Sequence, residues 1–244
     1  MKWIICFSTL LSGSLAWSMN ALFIGDSNSY GKFGGEVDTY LRMVSQNVTS
    51  MASCGSSPST WMAQDSKFKS TNCGYWRKDL KGQETRVKEH KIDSFPSEMG
   101  KLHPDLTVIA LGTNVLASTG NIESELKSIR SMLDVVKKSH SECIWVGPPA
   151  LGKNPFKANL AQGVVKIKDA VEKAGCAYID SSKLTTYAQG KGDGIHYGPK
   201  DSAKWGRDVV GQMQKLPQVI RAREKQNSFV PENKGKDAGG PGIQ

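Results

Sequence analysis

An apolar run that ends in a tight turn dominates the N-terminal part of the chain: Ala21-Leu22-Phe23-Ile24-Gly25-Asp26-Ser27-Asn28-Ser29-Tyr30-Gly31. The run stops abruptly at Gly-Asp-Ser. It predicts a buried strand followed by a turn, and open α/β sheets bind their ligands at the carboxyl ends of their strands. The hydroxyl of Ser27 is therefore a candidate nucleophile. Taken alone the motif is weak, because glycine, aspartate and serine are also ordinary turn residues.

Three later blocks strengthen this hypothesis, because each follows a predicted strand or precedes the last predicted helix. They are Gly55 in the segment SCGSSPSTW, Gly112-Thr113-Asn114, and Asp193-Gly194-Ile195-His196. In this order the blocks resemble the SGNH (GDSL-type) hydrolases, which are named for a serine, a glycine, an asparagine and a histidine. The resemblance runs from Asn20 to about Leu216. The chain departs from the family pattern at Val115, where an aspartate often follows the asparagine.

The chemistry of ester hydrolysis assigns a role to each block. A nucleophile, a base and donors to the oxyanion are needed, and we predict Ser27 as nucleophile, His196 as base and Asp193 as the acceptor that orients the imidazole. By resemblance, the oxyanion hole consists of the backbone N–H groups of Ser27 and Gly55 and the side-chain amide of Asn114. Asp193 could instead belong to a plain turn and Asn114 could be a helix cap, but such roles do not explain the joint order of the blocks.

Residues 1–18 have the pattern of a secretory signal peptide. One basic residue, Lys2, precedes an apolar stretch, and the small residues of Ala16-Trp17-Ser18 fit a cleavage site. The stretch is too short to span a membrane, and no other stretch approaches that length. We therefore expect a periplasmic or secreted protein with no stable membrane insertion, whose SGNH domain covers residues 19–217.

Strand and helix patterns alternate along this domain. Strands are predicted at about Asn20–Ile24, Val48–Ser53, Leu106–Leu111, Cys143–Val146 and Cys176–Ile179. This alternation predicts a parallel sheet covered by helices on both faces, an α/β three-layer sandwich. The family resemblance implies a flavodoxin-like sheet of five parallel strands in the order 2-1-3-4-5.

Three amphipathic helices are predicted in the second half of the chain. The first places apolar residues from Ile122 to Val136 on one face, with Glu123 and Glu125 in its first turn to match the helix dipole. A second runs from about Phe156 and stops before Gly175. The third carries apolar residues from Ala203 to Leu216.

Two segments break the alternation. The segment from Trp61 to Leu102 is long, and its charged middle from Arg77 to Lys91 predicts a surface excursion or an extra helix near the mouth of the site. Its aromatic residues Trp61, Tyr75 and Trp76 could stack on a sugar, but packing against the neighbouring loop is the favoured interpretation. Residues 218–244 lose the apolar period and predict a disordered, basic, glycine-rich tail.

Four cysteines remain after signal cleavage, an even number that suggests two disulfides with three possible connectivities. The predicted fold favours Cys54 with Cys73, across the loop of the glycine block, and Cys143 with Cys176, at the starts of neighbouring strands. There is no CxxC motif and the histidines are scattered, so we expect no metal site and no cofactor.

The formal net charge of +9 is compatible with anionic cell-envelope polymers, although a basic solvated surface with no particular partner is the favoured interpretation of the charge itself. No basic stripe with interleaved aromatic residues is present, which argues against a nucleic-acid partner. The favoured hypothesis is an exported serine esterase that removes O-acetyl groups from a glycan such as peptidoglycan, with small esters as possible substrates. A lipase or thioesterase, a sugar O-acetyltransferase and a non-catalytic glycan-binding module are the alternatives, and the oligomeric state is left open.

Overall fold

The computed structural model describes residues 19–63, 70, 73–117, 119–190 and 192–227. The predicted signal peptide, residues 1–18, and the end of the predicted tail, residues 228–244, lie outside the described residues. The helices found in the described part of the chain include none that is long and apolar enough to cross a membrane.

A central sheet of seven strands organises the structure. In chain order the strands are β1 (Asn20–Gly25), β2 (Asn47–Ser53), β3 (Tyr75–Lys78), β4 (Glu84–Val87), β5 (Leu106–Ala110), β6 (Glu142–Val146) and β7 (Ala177–Ile179). Their spatial order is β4-β3-β2-β1-β5-β6-β7. The five predicted strands correspond to β2-β1-β5-β6-β7, which pair in parallel and in the expected 2-1-3-4-5 order.

The expectation of a purely parallel sheet of five strands is wrong. Strand β3 pairs antiparallel with β2, and β4 pairs antiparallel with β3, so a hairpin extends the sheet at the β2 edge. The charged middle of the 61–102 segment forms this hairpin and not a helix. Its turn closes because the Asp79 carboxylate accepts from the N–H groups of Lys81 and Gln83, while Gly82 adopts a positive φ of 79°.

Eight helices are described. They are α1 (Lys32–Val44), α2 (Pro58–Met62), α3 (Phe95–Leu102), α4 (Thr119–Lys138), α5 (Phe156–Lys173), α6 (Ser181–Leu184), α7 (Pro199–Met213) and α8 (Pro217–Asn227). Buried residues of α2, α3, α4 and α5 form one core cluster, and buried residues of α1, α7 and α8 form the other. The predicted three-layer α/β architecture is therefore confirmed.

Strand β1 contributes to both cores, because successive side chains of a strand point to opposite faces. Leu22 and Ile24 pack into the cluster of α2–α5, whereas Ala21 and Phe23 pack into the cluster of α1, α7 and α8. All four side chains are buried. The central strand that leads to Ser27 is thus fixed on both sides.

Disulfides join Cys54 to Cys73 and Cys143 to Cys176, the pairing that the predicted fold favours. The first connects the loop after β2 to the residues before β3. The second connects β6 to the residue that precedes β7. Each cross-link of this kind stabilises a folded domain by roughly 2–4 kcal/mol.

The predicted disorder from residue 218 onward is wrong for residues 218–227, which belong to helix α8. Val219 and Ala222 on this helix are buried in the core of α1 and α7. The Arg221 guanidinium pairs with the carboxylate of Glu142 at 2.7 Å. Lys225 of the same helix also pairs with Glu142, at 3.3 Å. Two apolar residues and these two ion pairs hold the helix in place although its overall composition is polar.

Candidate active site

Ser27 lies directly beyond the carboxyl end of β1, in the middle of the sheet. It begins a short 3-10 helix, Ser27–Tyr30, capped by the side chain of Asp26, whose Oδ1 accepts from the N–H of Asn28 at 2.9 Å. A Cβ on Gly25 would lie 2.0 Å from Ser29 Oγ. The chain can make this sharp turn after the strand only because residue 25 has no side chain.

His196 and Asp193 reach Ser27 from the loop between α6 and α7. The Nε2 of His196 lies 2.8 Å from Ser27 Oγ, and its Nδ1 lies 2.5 Å from Asp193 Oδ2. The other carboxylate oxygen, Oδ1, accepts from the N–H groups of Ile195 and His196 at 2.9 and 2.8 Å. The hydroxyl, the imidazole and the carboxylate thus form one continuous hydrogen-bonded chain.

The environment of Asp193 keeps it ionised. Partial burial raises the pKa of this carboxyl, but the hydrogen bonds from the backbone and ring of His196 and from Ile195 outweigh that effect and lower the pKa to about 2. The side chains of His196 and Asp193 are 46% and 50% exposed. The pair is therefore accessible to solvent and to a large substrate.

The loop that carries His196 is braced by residues that the sequence did not single out. The hydroxyl of Tyr187 accepts from the N–H of Gly194 at 2.9 Å and donates to the carbonyl of His196 at 3.1 Å. The backbone N–H groups of Gly152 and Lys153 both point to the carbonyl of Gly194, at 2.8 and 3.2 Å. Two separate contacts thus fix the backbone of the loop around its carboxylate and imidazole.

The glycine block lies beside β1, because β2 pairs with β1 and both strands end at the same edge. Gly55 has a φ of 77°, a conformation that favours glycine. Next to it, Ser56 Oγ donates to the carbonyl of Ser53 at 2.7 Å and accepts from Trp61 Nε1 at 3.0 Å. The buried tryptophan therefore holds the turn that presents Gly55.

Asn114 follows β5, the strand on the other side of β1, and begins a short 3-10 helix. Its Nδ2 donates to the carbonyl of Ser56 at 2.7 Å. An asparagine amide carries two N–H groups, and this bond uses one of them. The structure thus brings Asn114 to the glycine block, as the predicted oxyanion hole requires.

Two buried carboxyl groups support the site and were not predicted as functional residues. The first is Asp26, which is 3% exposed. Burial raises its pKa to about 6, although the Asn28 N–H, the charge of His196 and the Thr113 hydroxyl act in the opposite direction. From the sequence, Asp26 was predicted only as a turn residue. Its position between the strand and the candidate nucleophile is the sequence feature that could have identified it as part of the site.

The second is Glu125, which is 4% exposed. Its carboxylate accepts from Ser57 Oγ at 2.7 Å, from the Ser59 N–H at 2.8 Å and from Ser59 Oγ at 2.5 Å. The prediction that Glu125 lies in the first turn of its helix is wrong, since α4 begins at Thr119. Glu125 instead anchors the start of α2, immediately after the glycine block.

Two open cavities are lined by Tyr187 and reach the loop that carries Asp193 and His196. One, of about 200 Å³, is lined by His196 together with Thr186, Tyr187, Ala188, Gly192, Tyr197, Gly198 and Asp201. The other, of about 510 Å³, is lined by Asp193 together with Gly152, Lys153, Lys157, Tyr187, Ala188, Gln189, Gly190, Gly192 and Gly194. The linings consist of small, polar, charged and tyrosine residues.

Trp61, Tyr75 and Trp76, considered above as a platform for a sugar, are buried and pack within the two cores. Packing, the favoured interpretation, is therefore confirmed. The described residues hold no group of three or more histidine, cysteine, aspartate or glutamate side chains that could bind a metal ion.

A three-layer α/β fold with a serine, a histidine and an aspartate joined at the carboxyl edge of its sheet defines the class of the serine hydrolases. Within this class, the GDSL-like lipase/acylhydrolase family matches residues 22–209, and the chain belongs to that family. It is an SGNH-type serine esterase. No curated protein sequence is detectably similar to it.

Solved structures share the fold at low sequence identity. A protein assigned as an arylesterase from Agrobacterium tumefaciens is 14% identical, with a TM-score of 0.58 over 81% of this chain and 99% of its own. A carbohydrate acetylesterase from Sinorhizobium meliloti is 12% identical, with a TM-score of 0.56 over 81% and 99%. An acetylxylan esterase from Geobacillus stearothermophilus, solved as a catalytic mutant, is 13% identical, with a TM-score of 0.54 over 80% and 94%.

Proposed function

We propose that this protein is an exported serine esterase that removes O-acetyl groups from a carbohydrate, with Ser27, His196 and Asp193 as its catalytic residues. The observation that carries the proposal is the hydrogen-bonded chain from Ser27 Oγ through the imidazole to Asp193, with links of 2.8 and 2.5 Å. The 2.8 Å distance between Ser27 Oγ and His196 Nε2 lies within the range over which a base can take the proton of a nucleophile.

In the first half of the reaction, Ser27 Oγ attacks the ester carbonyl and its proton passes to His196 Nε2. The carbonyl oxygen becomes an oxyanion, which the N–H groups of Ser27 and Gly55 and the amide of Asn114 stabilise in this proposal. When the tetrahedral intermediate collapses, the imidazolium returns the proton to the sugar oxygen and the C–O bond breaks. The sugar leaves with a free hydroxyl, and the acetyl group remains on Ser27.

In the second half, water takes the place of the alcohol. His196 removes a proton from the water as the water oxygen adds to the acetyl carbonyl. The second tetrahedral intermediate then breaks the bond between the acyl carbon and Ser27 Oγ, the imidazolium returns its proton to Oγ, and acetate leaves. Asp193 stays ionised throughout, since its pKa of about 2 lies far below neutral pH. Its negative charge stabilises the imidazolium in both halves.

The cavities beside the catalytic loop support a sugar over a lipid. Among the residues that line the two cavities next to His196 and Asp193, none is Leu, Ile, Val, Phe or Met. A lipase or long-chain thioesterase needs an apolar channel for its acyl chain. The glycan interpretation is also compatible with two proteins of similar fold, a carbohydrate acetylesterase and an acetylxylan esterase.

Export to the periplasm or medium rests on the signal-like residues 1–18 and is supported by the two disulfides, which form and persist in oxidising compartments. A cell-envelope polymer such as peptidoglycan is the glycan that we propose for that location. The formal charge of +9 favours association with anionic polymers of this kind.

Substitution of the nucleophile tests the proposal directly. Ser27→Ala should abolish the release of acetate from acetylated glycans and from aryl acetate, and a serine-directed phosphonate should label Ser27 alone. Ser124→Ala, at an exposed serine of α4, is the matched control and should retain full activity. Substantial esterase activity in the Ser27→Ala variant would refute the assignment.

Aryl esters of graded chain length separate the acyl specificities. Acetate and propionate esters should be hydrolysed efficiently, and the ratio kcat/KM should fall as the chain lengthens, because no apolar channel lines the described cavities. A preference for octanoate or longer esters would favour the lipase alternative. Transfer of acetyl to an added sugar in preference to water would favour the transferase.

A further inference from the structure

We propose that the cavity lined by Lys153, Lys157 and Tyr187 is a subsite for an anionic sugar, so that the substrate is an acylated acidic glycan. The inference rests on the proposed esterase function and deepens it. The cavity has a volume of about 510 Å³, which is large enough for a sugar ring, and Asp193 of the catalytic chain forms part of its wall.

Both lysines lie at the start of α5, Lys153 in the bend before the helix and Lys157 in its first turn. The N–H of Lys157 donates to the carbonyl of Lys153 at 2.9 Å, so their side chains are one turn apart. The first turn of α5 contains no acidic residue to offset their positive charges. Both lysines line the same cavity, so an anion bound there would be attracted by both ammonium groups.

Neither lysine forms an ion pair within the described part of the chain, and both are exposed. Many other lysines do form ion pairs, among them Lys166 with Glu123 and Lys173 with Asp169. The one carboxylate in the cavity wall, Asp193, already accepts from two backbone N–H groups and the imidazole of His196. The ammonium groups of Lys153 and Lys157 therefore remain available to a ligand.

The position of Lys153 couples this cavity to the catalytic loop. Its backbone N–H donates to the carbonyl of Gly194, and a Cβ on Gly194 would lie 2.5 Å from the Lys153 Cβ. Tyr187 lines both cavities. A sugar bound between Tyr187 and the lysines would therefore lie next to a sugar whose ester is at Ser27, and aromatic side chains commonly contact sugar rings in this way.

The ligand class follows from this chemistry. A lysine ammonium is a compact charge that attracts carboxylates and sulfates alike, so the shared requirement is a negative substituent on the sugar beside the acylated one. An O-acetylated oligosaccharide of uronic acid residues has this composition. A neutral acetylated chain carries no charged group that could pair with the two lysines.

The experiment compares two trisaccharides of the same linkage and degree of O-acetylation, one of galacturonate and one of galactose. The ratio of kcat/KM for the acidic to the neutral substrate is measured at low ionic strength for the wild type and for Lys153→Ala/Lys157→Ala. The control is Lys127→Ala/Lys138→Ala, which removes two exposed charges from α4 and changes the net charge equally. The ratio should exceed one in the wild type.

The Lys153→Ala/Lys157→Ala variant should lower this ratio by about twofold to thirtyfold, the range expected for two exposed charge pairs, and 0.5 M salt should lower it in the wild type in the same direction. The control should leave it unchanged. Each of three results would overturn the proposal: a wild-type ratio of one or less, an unchanged ratio in the Lys153→Ala/Lys157→Ala variant, or an equal fall in the control.

A binding measurement separates this proposal from the esterase assignment. Non-acetylated trigalacturonate is titrated calorimetrically into Ser27→Ala protein with and without the two lysine substitutions, and a sulfated trigalactoside replaces it in a second arm. Weaker binding of the carboxylated ligand in the lysine variant supports the subsite even if no ester is hydrolysed. Equal binding overturns the subsite even if Ser27 is the nucleophile. The sulfated arm shows which anion the lysines prefer.

Discussion

Asp26 offers a test of how the buried turn beneath Ser27 responds to pH. Its carboxyl is 3% exposed, and its pKa rises from the ordinary value of 3.8 to about 6 because burial disfavours the charged form. Each unit by which the pKa differs between the folded and the unfolded protein corresponds to about 1.36 kcal/mol. The ionised carboxylate therefore costs about 3 kcal/mol of folding stability at neutral pH.

The sign of the effect is set by proton binding. Between pH 3.8 and about 6 the folded protein holds a proton on Asp26 that the unfolded chain has lost. The stabilisation is therefore complete below pH 3.8 and is lost as the pH rises through 6. Asp193 acts in the opposite direction and at lower pH, because its stabilisation is present above 3.8 and is lost as the pH falls through about 2.

The variant Asp26→Asn keeps the shape and the acceptor for the Asn28 N–H but cannot ionise. Urea unfolding at pH 4, 5.5 and 7.5 gives the free energy of unfolding of both proteins. The difference, variant minus wild type, should rise by about 2.5 kcal/mol from pH 4 to pH 7.5, because the unfolded carboxyl is already partly ionised at pH 4. Asp134→Asn, at an exposed carboxylate of α4, is the control and should give a flat difference.

If the difference in unfolding free energy between variant and wild type stays constant within about 1 kcal/mol over this range, the reasoning is refuted. The pKa of Asp26 would then differ by less than one unit between the folded and the unfolded protein. A difference that falls with pH would refute it as well. It would mean that the folded protein favours the carboxylate, as expected if the hydrogen bond from Asn28 outweighed burial.

Three further predictions concern catalysis. Asn114→Ala should lower kcat by about a hundredfold to a thousandfold with a smaller change in KM, and an unchanged kcat would remove Asn114 from the oxyanion hole. Asp193→Asn should sharply lower kcat/KM, because the amide cannot stabilise the imidazolium that forms in the transition state; a kcat/KM equal to that of the wild type would exclude stabilisation of the imidazolium by Asp193. Glu125→Ala should reduce the free energy of unfolding by about 2–4 kcal/mol and lower kcat, whereas Glu125→Gln should retain most of both, and equal losses in the two variants would show that the charge matters more than the hydrogen bonds.

The local part of the site could be predicted from the sequence. Ser27 follows an apolar strand closely, and Asp193 precedes His196 by three residues. Residue types and their order are therefore enough to predict these parts of the site. The contact between Ser27 and His196 joins residues 169 positions apart, and the family resemblance supplied it. The same resemblance supplied the order of the parallel strands, which periodicity leaves undetermined.

The remaining features depend on packing that the sequence pattern does not encode. In the sequence, Glu125 cannot be distinguished from any other acidic residue on a helix. In the structure it accepts hydrogen bonds from Ser57 and Ser59, which are more than 60 positions away. The hairpin of β3 and β4 was missed because its strands have four residues each and are highly charged, too short for alternation to be recognised. Helix α8 was missed because Val219 and Ala222 are too few to set up an apolar period.

The ends of the sheet have a consequence for how the protein behaves among copies of itself. An exposed edge strand can recruit a strand from another molecule and start aggregation. Here one outer strand, β4, is four residues long with every residue exposed and with Glu84 and Arg86 along it, and the other, β7, is three residues long. Both edges are too short, and one too charged, to serve as templates, so concentrated solutions of the protein are expected to resist aggregation through the edges of the sheet.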